Sequence, residues 1–395
     1  MLLTIIHNNP VRVDGDAIWV DRKFHVGMQA YLERIDAPIL SVHPAARPEE
    51  RTLDAVRVPR AELGYEILTL ALDEARNPLP ADALALEERI AASSLVYGYG
   101  YGSSALARRR RVPYILILEY DLGTQMVVAN SHVTNPLRRL VRIARTAGSY
   151  YATMRPAMQH ALAVHCNGYP IFDAAQAVNP NRVLYLDSRM SQPLVIGEQA
   201  LAERLRQRAG RPLRLLYSGR YEPMKGAEHA VRVAAQSLAM GLDVEMHCYG
   251  QGPLKASMLE IAAASVRPDR IHVHDTVPYP ELVELSRGFD VFVCCHVQSD
   301  PSCTYLESFG AGLPIVGYDN RMWRRLCEIS GAGRSSPLGD PHAVAANVRA
   351  LAQQPAVFDE LSQRARSFAL QHTFEREFDK RTEALNQALR NTAAR

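Results

Sequence analysis

The segment LLYSGRYEPMKGAEHAVRVA, residues 215–234, has the pattern of a buried strand, a polar loop and a helix. Arg220 and Lys225 stand in the loop, five positions apart, at the carboxyl end of the predicted strand. Because Arg presents a planar fork and Lys a compact point charge, the two side chains can close on a diphosphate. The chain has four Lys beside 41 Arg, so an ammonium at position 225 is an unusual choice. A solvated surface loop is the alternative interpretation.

The same alternation of strand and helix patterns runs through both halves of the chain. Strands that alternate with helices form parallel sheets with right-handed crossovers, and 395 residues is the length of about two domains. We therefore expect an α/β fold of two doubly wound, Rossmann-like domains. The predicted strands are 2–7, 39–42, 95–99, 114–120, 126–129, 161–166, 184–186, 213–218, 244–249, 271–274, 291–295 and 315–318.

The predicted boundary between the two domains falls after residue 195. Residues 1–195 form the N-terminal domain, and residues 196–373 form the C-terminal domain. Apolar residues recur at helical spacing in 374–395, which predicts a terminal helix that packs back on the N-terminal domain.

Composition excludes several classes of protein. A hydrophobic fraction of 47 % rules out wholesale disorder. The six Cys lack a CxxC pair, which argues against a zinc ribbon or a secreted disulfide framework and favours reduced thiols. No run approaches the ~20 apolar residues of a membrane-spanning helix, and the first residues lack a basic segment before an apolar one. A cytoplasmic location is expected.

The second informative segment is VFVCCHVQSDPSCTYLESFGAGLPIVGYDN, residues 291–320. A buried strand is followed by a polar loop, and Pro301 and Ser302 signal the start of a helix. The first amide groups of that helix can bind an anion, and Glu307, one turn further on, can accept ribose hydroxyls. Two weaker signals lie between the segments. They are the glycine turn of residues 249–254 and the strand end HDTVPY of residues 274–279.

These four segments, in this order, resemble the C-terminal domain of glycosyltransferase family 4, the retaining enzymes of the GT-B fold. The resemblance covers residues 213–370 and implies a nucleotide-sugar donor in this domain, an acceptor in the N-terminal domain and chemistry in the cleft. It places the donor pyrophosphate on Arg220 and Lys225, and the ribose on Glu307. The other donor-site residues that it implies are Gly219, Gly250, Val277, Thr304, Tyr305 and Leu306.

The sequence departs from the family pattern at one position. The family often has two Glu separated by seven residues, but the position that pairs with Glu307 holds Ser299. Asp300 is the nearest carboxylate, and we expect it to contact hydroxyls of the donor sugar.

The N-terminal half resembles the family loosely. The segment of residues 96–124 looks like the strand, helix and strand that line the acceptor site, which assigns Tyr97, Tyr99 and Glu119 to the acceptor side. A carboxylate at 119 can orient an acceptor hydroxyl or stabilise an oxocarbenium-like state, although a capping role is an equal alternative. The glycines of this segment fail the dinucleotide spacing because residue 103 is Ser. Asp14 and Asp16 form a DxD, but its place in the first loop favours a polar turn over a metal site.

Positive charge is concentrated in one stretch of the chain. Residues 101–160 hold nine Arg against two acidic residues, whereas the whole chain has a net charge of +3. Arg138, Arg139, Arg142 and Arg145 recur at helical spacing beside apolar residues, as in helices that lie on anionic lipid. A solvated face is the alternative, and nucleic acid is disfavoured because no binding module is recognisable.

The resemblance implies a retaining, metal-independent glycosyltransferase that needs no cofactor beyond its nucleotide-sugar co-substrate. The expected acceptor is a saccharide or a lipid-linked saccharide, as in bacterial surface polysaccharide assembly, with peripheral binding at the inner face of the membrane through Arg residues of 108–145. Predicted catalytic residues are Arg220, Lys225, Glu119 and Asp300. Two alternatives remain open. They are a nucleotide-sugar 2-epimerase of the same fold and a catalytically silent sugar-nucleotide binding protein.

Overall fold

The computed structural model describes residues 1–47, 54–131 and 133–393. By compactness the chain divides into two units. The first unit contains Met1–Asp121, Ala147–Tyr185 and the residues from Glu377 onward, and the second contains Leu122–Thr146 and Leu186–Arg376. The arginine-rich stretch is therefore shared between the units, and the predicted boundary after residue 195 stays a prediction.

Strands and helices alternate along the chain up to Tyr185. The strands are β1 (Leu3–Ile6), β2 (Arg12–Asp14), β3 (Ala17–Asp21), β4 (Ile39–Pro44), β5 (Ala55–Pro59), β6 (Glu66–Leu70), β7 (Leu95–Gly98), β8 (Tyr114–Leu118), β9 (Ala163–Asn167) and β10 (Arg182–Tyr185). The helices up to β10 are α1 (Arg22–Arg34), α2 (Pro80–Ala91), α3 (Ser103–Arg110), α4 (Leu122–Asn130), α5 (Pro136–Ser149), α6 (Arg155–His160) and α7 (Tyr169–Ala175), with a π-helical turn at Tyr150–Met154 before α6. Of these elements, α4 and most of α5 belong to the second unit.

The second unit continues the alternation. Its strands are β11 (Leu213–Ser218), β12 (Val244–Tyr249), β13 (Ile271–His274), β14 (Val291–Cys294), β15 (Ile315–Tyr318) and β16 (Gly333–Ser336). The helices from α8 to the end of the chain are α8 (Glu198–Arg206), α9 (Ala227–Ala239), α10 (Lys255–Ala263), α11 (Tyr279–Ser286), α12 (Thr304–Gly310), α13 (Arg321–Ser330), α14 (Pro341–Ala352), α15 (Pro355–Gln371) and α16 (Phe374–Ala393). Most of α16 belongs to the first unit.

Each unit is built on a parallel sheet with the doubly wound strand order. The first has seven strands in the order β10-β9-β8-β7-β1-β4-β6, and the second has six in the order β13-β12-β11-β14-β15-β16. Every pair of neighbours in these two sheets is parallel. A small antiparallel sheet, β2-β3-β5, adds to the first unit. The predicted α/β class and its two parallel series are confirmed.

The strand order places a switch point in each sheet. In the second sheet the chain moves outward from β11 through β12 to β13, and then returns to the other side of β11 as β14. In the first sheet the corresponding neighbours are β1 and β7. Loops that leave the carboxyl ends of such neighbours diverge to opposite sides of the sheet and open a crevice, which is where doubly wound folds bind ligands.

One predicted strand is wrong. Residues 126–129, MVVA, lie in helix α4. A short apolar run is compatible with a strand or with one face of a helix, and periodicity alone does not separate the two. The edge strand β16, GRSS, was not predicted because it is polar and carries no apolar run.

The last helix, α16, contributes large buried side chains to the first unit. The Phe378 ring lies 5.1 Å from the Tyr31 ring, and the Arg381 guanidinium lies 4.0 Å over Phe378. Leu385 and Leu389 on the same helix are also buried. These contacts explain the apolar spacing seen in the sequence.

We expect Phe378→Ala to lower the free energy of unfolding by about 3 kcal/mol, because the truncation removes transfer energy and leaves a cavity beside Tyr31. Urea unfolding of the full chain measures the change. Glu383→Ala, at an exposed position of the same helix, is the matched control and should change stability little. Similar losses in both variants would contradict the packing described here.

Candidate functional site

The loop between β11 and α9 is held in place by the end of the neighbouring strand. The amide of Gly219 donates to the Tyr249 carbonyl at 3.0 Å, and the Tyr221 amide donates to the Gln251 carbonyl at 2.8 Å. The buried Tyr221 hydroxyl lies 2.8 and 2.6 Å from the carbonyl oxygens of Cys248 and His274. The loop therefore has a fixed backbone at the carboxyl edge of the sheet.

Two glycines permit the close approach of these loops. A Cβ on Gly250 would lie 1.9 Å from the Gly219 carbonyl oxygen. Gly226 adopts a φ of +61°, and its Cβ would lie 1.9 Å from the Cys295 carbonyl oxygen. Side chains at either position would push the loops apart, so close packing of the loops requires glycine at both positions.

Arg220 and Lys225 have different environments. The Arg220 side chain is 61 % exposed, and its Nη1 lies 2.9 Å from Glu222 Oε1. Lys225 is buried at the end of the turn Pro223–Lys225, where its Nζ forms an ion pair with Asp300. The alternative interpretation of a solvated surface loop therefore fits the exposed Arg220 but does not fit the buried Lys225.

The Lys225–Asp300 pair joins the loops that follow β11 and β14, on the two sides of the switch point. The Val297 amide donates to the Met224 carbonyl at 3.1 Å, which ties the same loops through their backbones. His296 Nδ1 lies 3.5 Å from the second Asp300 oxygen. The structure thus brings the predicted site residues Lys225 and Asp300 together at the switch point of the sheet.

Charge balance fixes the protonation of this cluster. Burial alone would raise the pKa of Asp300, but the neighbouring His296 and the Lys225 ammonium outweigh it and hold that pKa well below its usual value. Burial would lower the pKa of His296, yet the Cys294 thiol and Asp300 raise it. An ionised Asp300 beside the Lys225 ammonium is therefore the favoured state near neutral pH.

Glu307 has a partner that sequence reasoning missed. Arg189 Nε donates to Glu307 Oε1 at 2.9 Å, and the same guanidinium stacks 3.9 Å over the Tyr279 ring. Glu307 is buried, and its carboxylate raises the pKa of Arg189 against the effect of burial. Arg189 stands 118 residues before Glu307 without a flanking motif, so no local signal could have found it.

The remaining residues of the predicted donor site lie in the same unit. Helix α12 begins at Thr304, two residues later than its expected start at Ser302. Tyr305 and Leu306 are buried, and the Tyr305 ring stacks on Trp323. The Tyr305 amide donates to the Ser302 carbonyl at 3.4 Å. Half-buried Val277 follows β13.

Ser299, at the position where the family often has Glu, binds the start of a helix. Its Oγ accepts from the Arg321 amide at 3.1 Å, at the first residue of α13. Asp300 is buried and Ser299 faces another element. The carboxylate near Lys225 is thus supplied one residue later than in the family pattern.

The acceptor-side residues belong to the first unit and have unequal access. Tyr97 is fully buried, and its hydroxyl lies 2.9 Å from His165 Nδ1. Tyr97 is buried because it lies within strand β7, and this burial argues against direct contact with an acceptor. Half-buried Tyr99 follows that strand at the switch point, and exposed Glu119 follows β8.

Asp14 and Asp16 flank a hairpin turn between β2 and β3. Asp14 accepts from the Trp19 indole at 3.1 Å, and Asp16 accepts from Arg57 at 3.2 Å. Gly15 between them has a φ of +58°. The polar-turn interpretation agrees with this geometry.

We expect Asp300→Asn to lower the free energy of unfolding at pH 7 by about 3 kcal/mol, because it leaves the buried Lys225 ammonium without its counter-charge. Folding depresses the pKa of Asp300. The stabilisation is therefore present above the ordinary carboxyl pKa of about 4 and is lost as the pH falls toward the folded-state value. Denaturant unfolding at a series of pH values measures both effects.

The matched control is Asp275→Asn, which removes the carboxylate of an exposed pair with Lys255. A surface pair contributes at most about 1 kcal/mol, so this variant should change stability little at any pH. Equal losses in the two variants, or a loss at Asp300 that does not depend on pH, would contradict the buried pair.

Residues 212–354, which span β11 to α14, match the family model described as glycosyl transferases group 1. No curated protein matches the sequence of this chain significantly.

Solved structures match over the whole sequence at low identity. HepE from Anabaena, solved in complex with UDP, has 13 % identity and a TM-score of 0.66, covering 100 % of this chain and 99 % of that one. Sucrose-phosphate synthase from Thermosynechococcus elongatus has 14 % identity and a TM-score of 0.66, with the same coverage. WaaG, a glycosyltransferase involved in lipopolysaccharide biosynthesis, has 12 % identity and a TM-score of 0.65, covering 97 % and 99 %.

At these identities the solved structures establish the fold, and the family model describes the second unit. The chain has the GT-B fold predicted from its sequence, and its residues 212–354 are similar to the glycosyl transferases group 1 family.

Proposed function

We propose that the protein transfers a sugar from a nucleoside diphosphate sugar to a saccharide or lipid-linked saccharide, with retention of configuration at the anomeric carbon. The observation that carries the proposal is the loop of Arg220 and Lys225, fixed at the switch point of a group 1 glycosyltransferase domain. A donor diphosphate bound there would meet an exposed guanidinium and the ammonium that Asp300 holds.

The charges of the site suit a departing diphosphate. The bond between the anomeric carbon and the β-phosphate oxygen breaks, and the negative charge that develops on this oxygen is stabilised by Arg220 and Lys225. The acceptor oxygen forms the new bond to the anomeric carbon and gives its proton to the leaving phosphate oxygen. In this scheme the two cations supply the charge stabilisation, so no metal is assigned to the diphosphate.

The remaining residues have positioning roles in the proposal. Asp300 keeps the Lys225 ammonium in place and offers a carboxylate to the donor sugar hydroxyls. Glu307, fixed by Arg189, accepts the ribose hydroxyls, while the stacked Arg189 and Tyr279 form a flat surface beside it. Glu119, exposed after β8, is assigned to orient the acceptor hydroxyl.

Uridine nucleotides are the first donors to test. HepE has been solved with UDP and with UDP-glucose, and it shares the fold over the whole sequence. The proposed place of the reaction in bacterial surface polysaccharide assembly rests on the basic stretch and on the fold shared with WaaG.

The function is tested by incubating the purified chain with UDP, GDP and ADP sugars and a lipid-linked saccharide fraction. Acceptor-dependent release of nucleoside diphosphate, with a product of retained configuration by NMR, is the expected result. Conversion of the donor to its 2-epimer without acceptor would identify an epimerase instead. Donor binding without any turnover across the panel would identify a silent binding protein.

Loss of the charges at the diphosphate should strongly reduce transfer without unfolding the protein. Arg220→Ala should lower the turnover number by about 10²- to 10³-fold, because one charge at the leaving group is lost. The double variant Lys225→Met with Asp300→Asn removes the ammonium together with the carboxylate that it balances. It should therefore remain folded and be inactive.

Turnover and melting temperature are measured side by side on these variants. Arg324→Ala is the matched control, because Arg324 is an exposed arginine of the same unit that pairs with Asp319. Near-normal turnover in Arg220→Ala or in the double variant would refute the diphosphate assignment.

Helix α5 supports the proposed contact with a membrane surface. Three of its large apolar residues are exposed, with Leu137, Leu140 and Val141 at 74 %, 64 % and 66 %. Arg138, Arg139, Arg142 and Arg145 are interleaved with them and are exposed as well. A helix with this distribution can place apolar side chains among lipid tails while its cations meet anionic headgroups. In the described parts of the chain, no helix combines the length and apolarity needed to cross a bilayer.

Replacement of Arg138, Arg139 and Arg142 by Gln should weaken binding to anionic vesicles by about fivefold per residue, since each cation near such a surface contributes about 1 kcal/mol. Vesicle flotation with phosphatidylglycerol and with phosphatidylcholine measures the effect. Substitution of Arg206, Arg324 and Arg364, which are exposed but paired with acidic partners, is the control. Unchanged binding in the first variant would exclude α5 as the contact.

A further inference from the structure

Strands β12 and β13 place three potential metal ligands on one face of the second sheet. His247 on β12 lies directly across from His272 on β13, the edge strand of the sheet. Glu245 stands two residues before His247 and therefore shares its face. One ligating atom from each of the three lies within 4.8 Å of the others.

The distances suit a tetrahedral cation. Glu245 Oε1 lies 3.3 Å from His247 Nε2 and 3.4 Å from His272 Nε2. With metal–ligand bonds of about 2.0–2.1 Å, ligand atoms at tetrahedral angles are about 3.3–3.4 Å apart. The carboxylate oxygen is therefore spaced from each imidazole as neighbouring vertices of such a site are.

Surrounding groups orient these ligands. His247 Nδ1 lies 3.0 Å from His274 Nε2, so the ring nitrogen away from the ligand cluster has a hydrogen-bond partner. Metal-bound histidines usually have such a partner. Arg214 Nε lies 3.9 Å from Glu245 Oε2, the oxygen that does not face His247 and His272. The guanidinium attracts this oxygen, although its charge reduces the attraction of the carboxylate for a cation.

The chemistry of the three ligands points to one kind of cation. A carboxylate with two imidazoles is a ligand set that Zn²⁺ accepts, whereas Mg²⁺ and Ca²⁺ prefer oxygen ligands throughout.

We propose that Glu245, His247 and His272 bind one Zn²⁺ ion, with water completing the coordination. The ion would clamp the edge strand β13 to β12, whose carboxyl ends lead to Val277 and Gly250. It would stabilise the second unit and take no part in the chemistry at the diphosphate. The proposal does not depend on the proposed transferase activity, because its test measures metal uptake and stability.

The experiment uses the full chain, treated with chelator and desalted, and titrated calorimetrically with ZnCl₂. We expect one Zn²⁺ per chain and a melting temperature that rises with free Zn²⁺. Glu245→Gln and His272→Gln should each raise the dissociation constant for Zn²⁺ by at least about tenfold. His342→Gln, at an exposed histidine of the same unit, is the matched control and should bind like the parent.

Two further readouts keep the test decisive. Circular dichroism and the metal-free melting temperature show whether each variant is folded. Co²⁺ bound to the unmodified chain should show visible d–d bands without a thiolate charge-transfer band, since the proposed ligands contain no sulfur. The proposal is overturned if the parent takes up no Zn²⁺, if folded Glu245→Gln and His272→Gln bind as tightly as the parent, or if the Co²⁺ spectrum indicates Cys ligation.

Discussion

The buried ion pair between Lys225 and Asp300 is the interaction on which the candidate site depends. Removing two charges from water costs several kcal/mol per ion, and their mutual attraction offsets this cost only with good geometry. In return, the pair fixes the loop after β11 against the loop after β14, at the point where the strand order reverses. The ammonium is thus already in position before any ligand arrives, which lowers the cost of ordering the site on binding.

The strand order explains why the site lies at this point. Connections from β11 and from β14 leave toward opposite sides of the sheet, so the space above their carboxyl ends is not filled by a crossing helix. Gly226 and Gly250 let neighbouring loops approach this space closely. The first unit repeats the arrangement at β1 and β7, and Tyr99 follows β7 at the corresponding edge.

Much of the fold could be predicted because parallel strands that are buried on both faces have continuous apolar runs in the sequence. Residues 126–129 failed this rule because four apolar residues fit a helix equally well. The charged loop residues were found because Arg220 and Lys225 are close in sequence. Their environments were not predicted, since the counter-charge on Lys225 comes from Asp300, 75 residues later. Arg189 and the face of Glu245, His247 and His272 were missed for the same reason: both are assembled by pairing between distant segments.

We propose that Arg220 and Lys225 bind the diphosphate of a nucleotide sugar. The decisive measurement is a crystal structure of the chain with UDP, or with whichever nucleoside diphosphate raises its melting temperature most. We expect β-phosphate oxygens within hydrogen-bonding distance of both the Arg220 guanidinium and the Lys225 ammonium, with the ribose at Glu307. A diphosphate bound elsewhere, with both cations in contact only with the protein, would contradict this proposal.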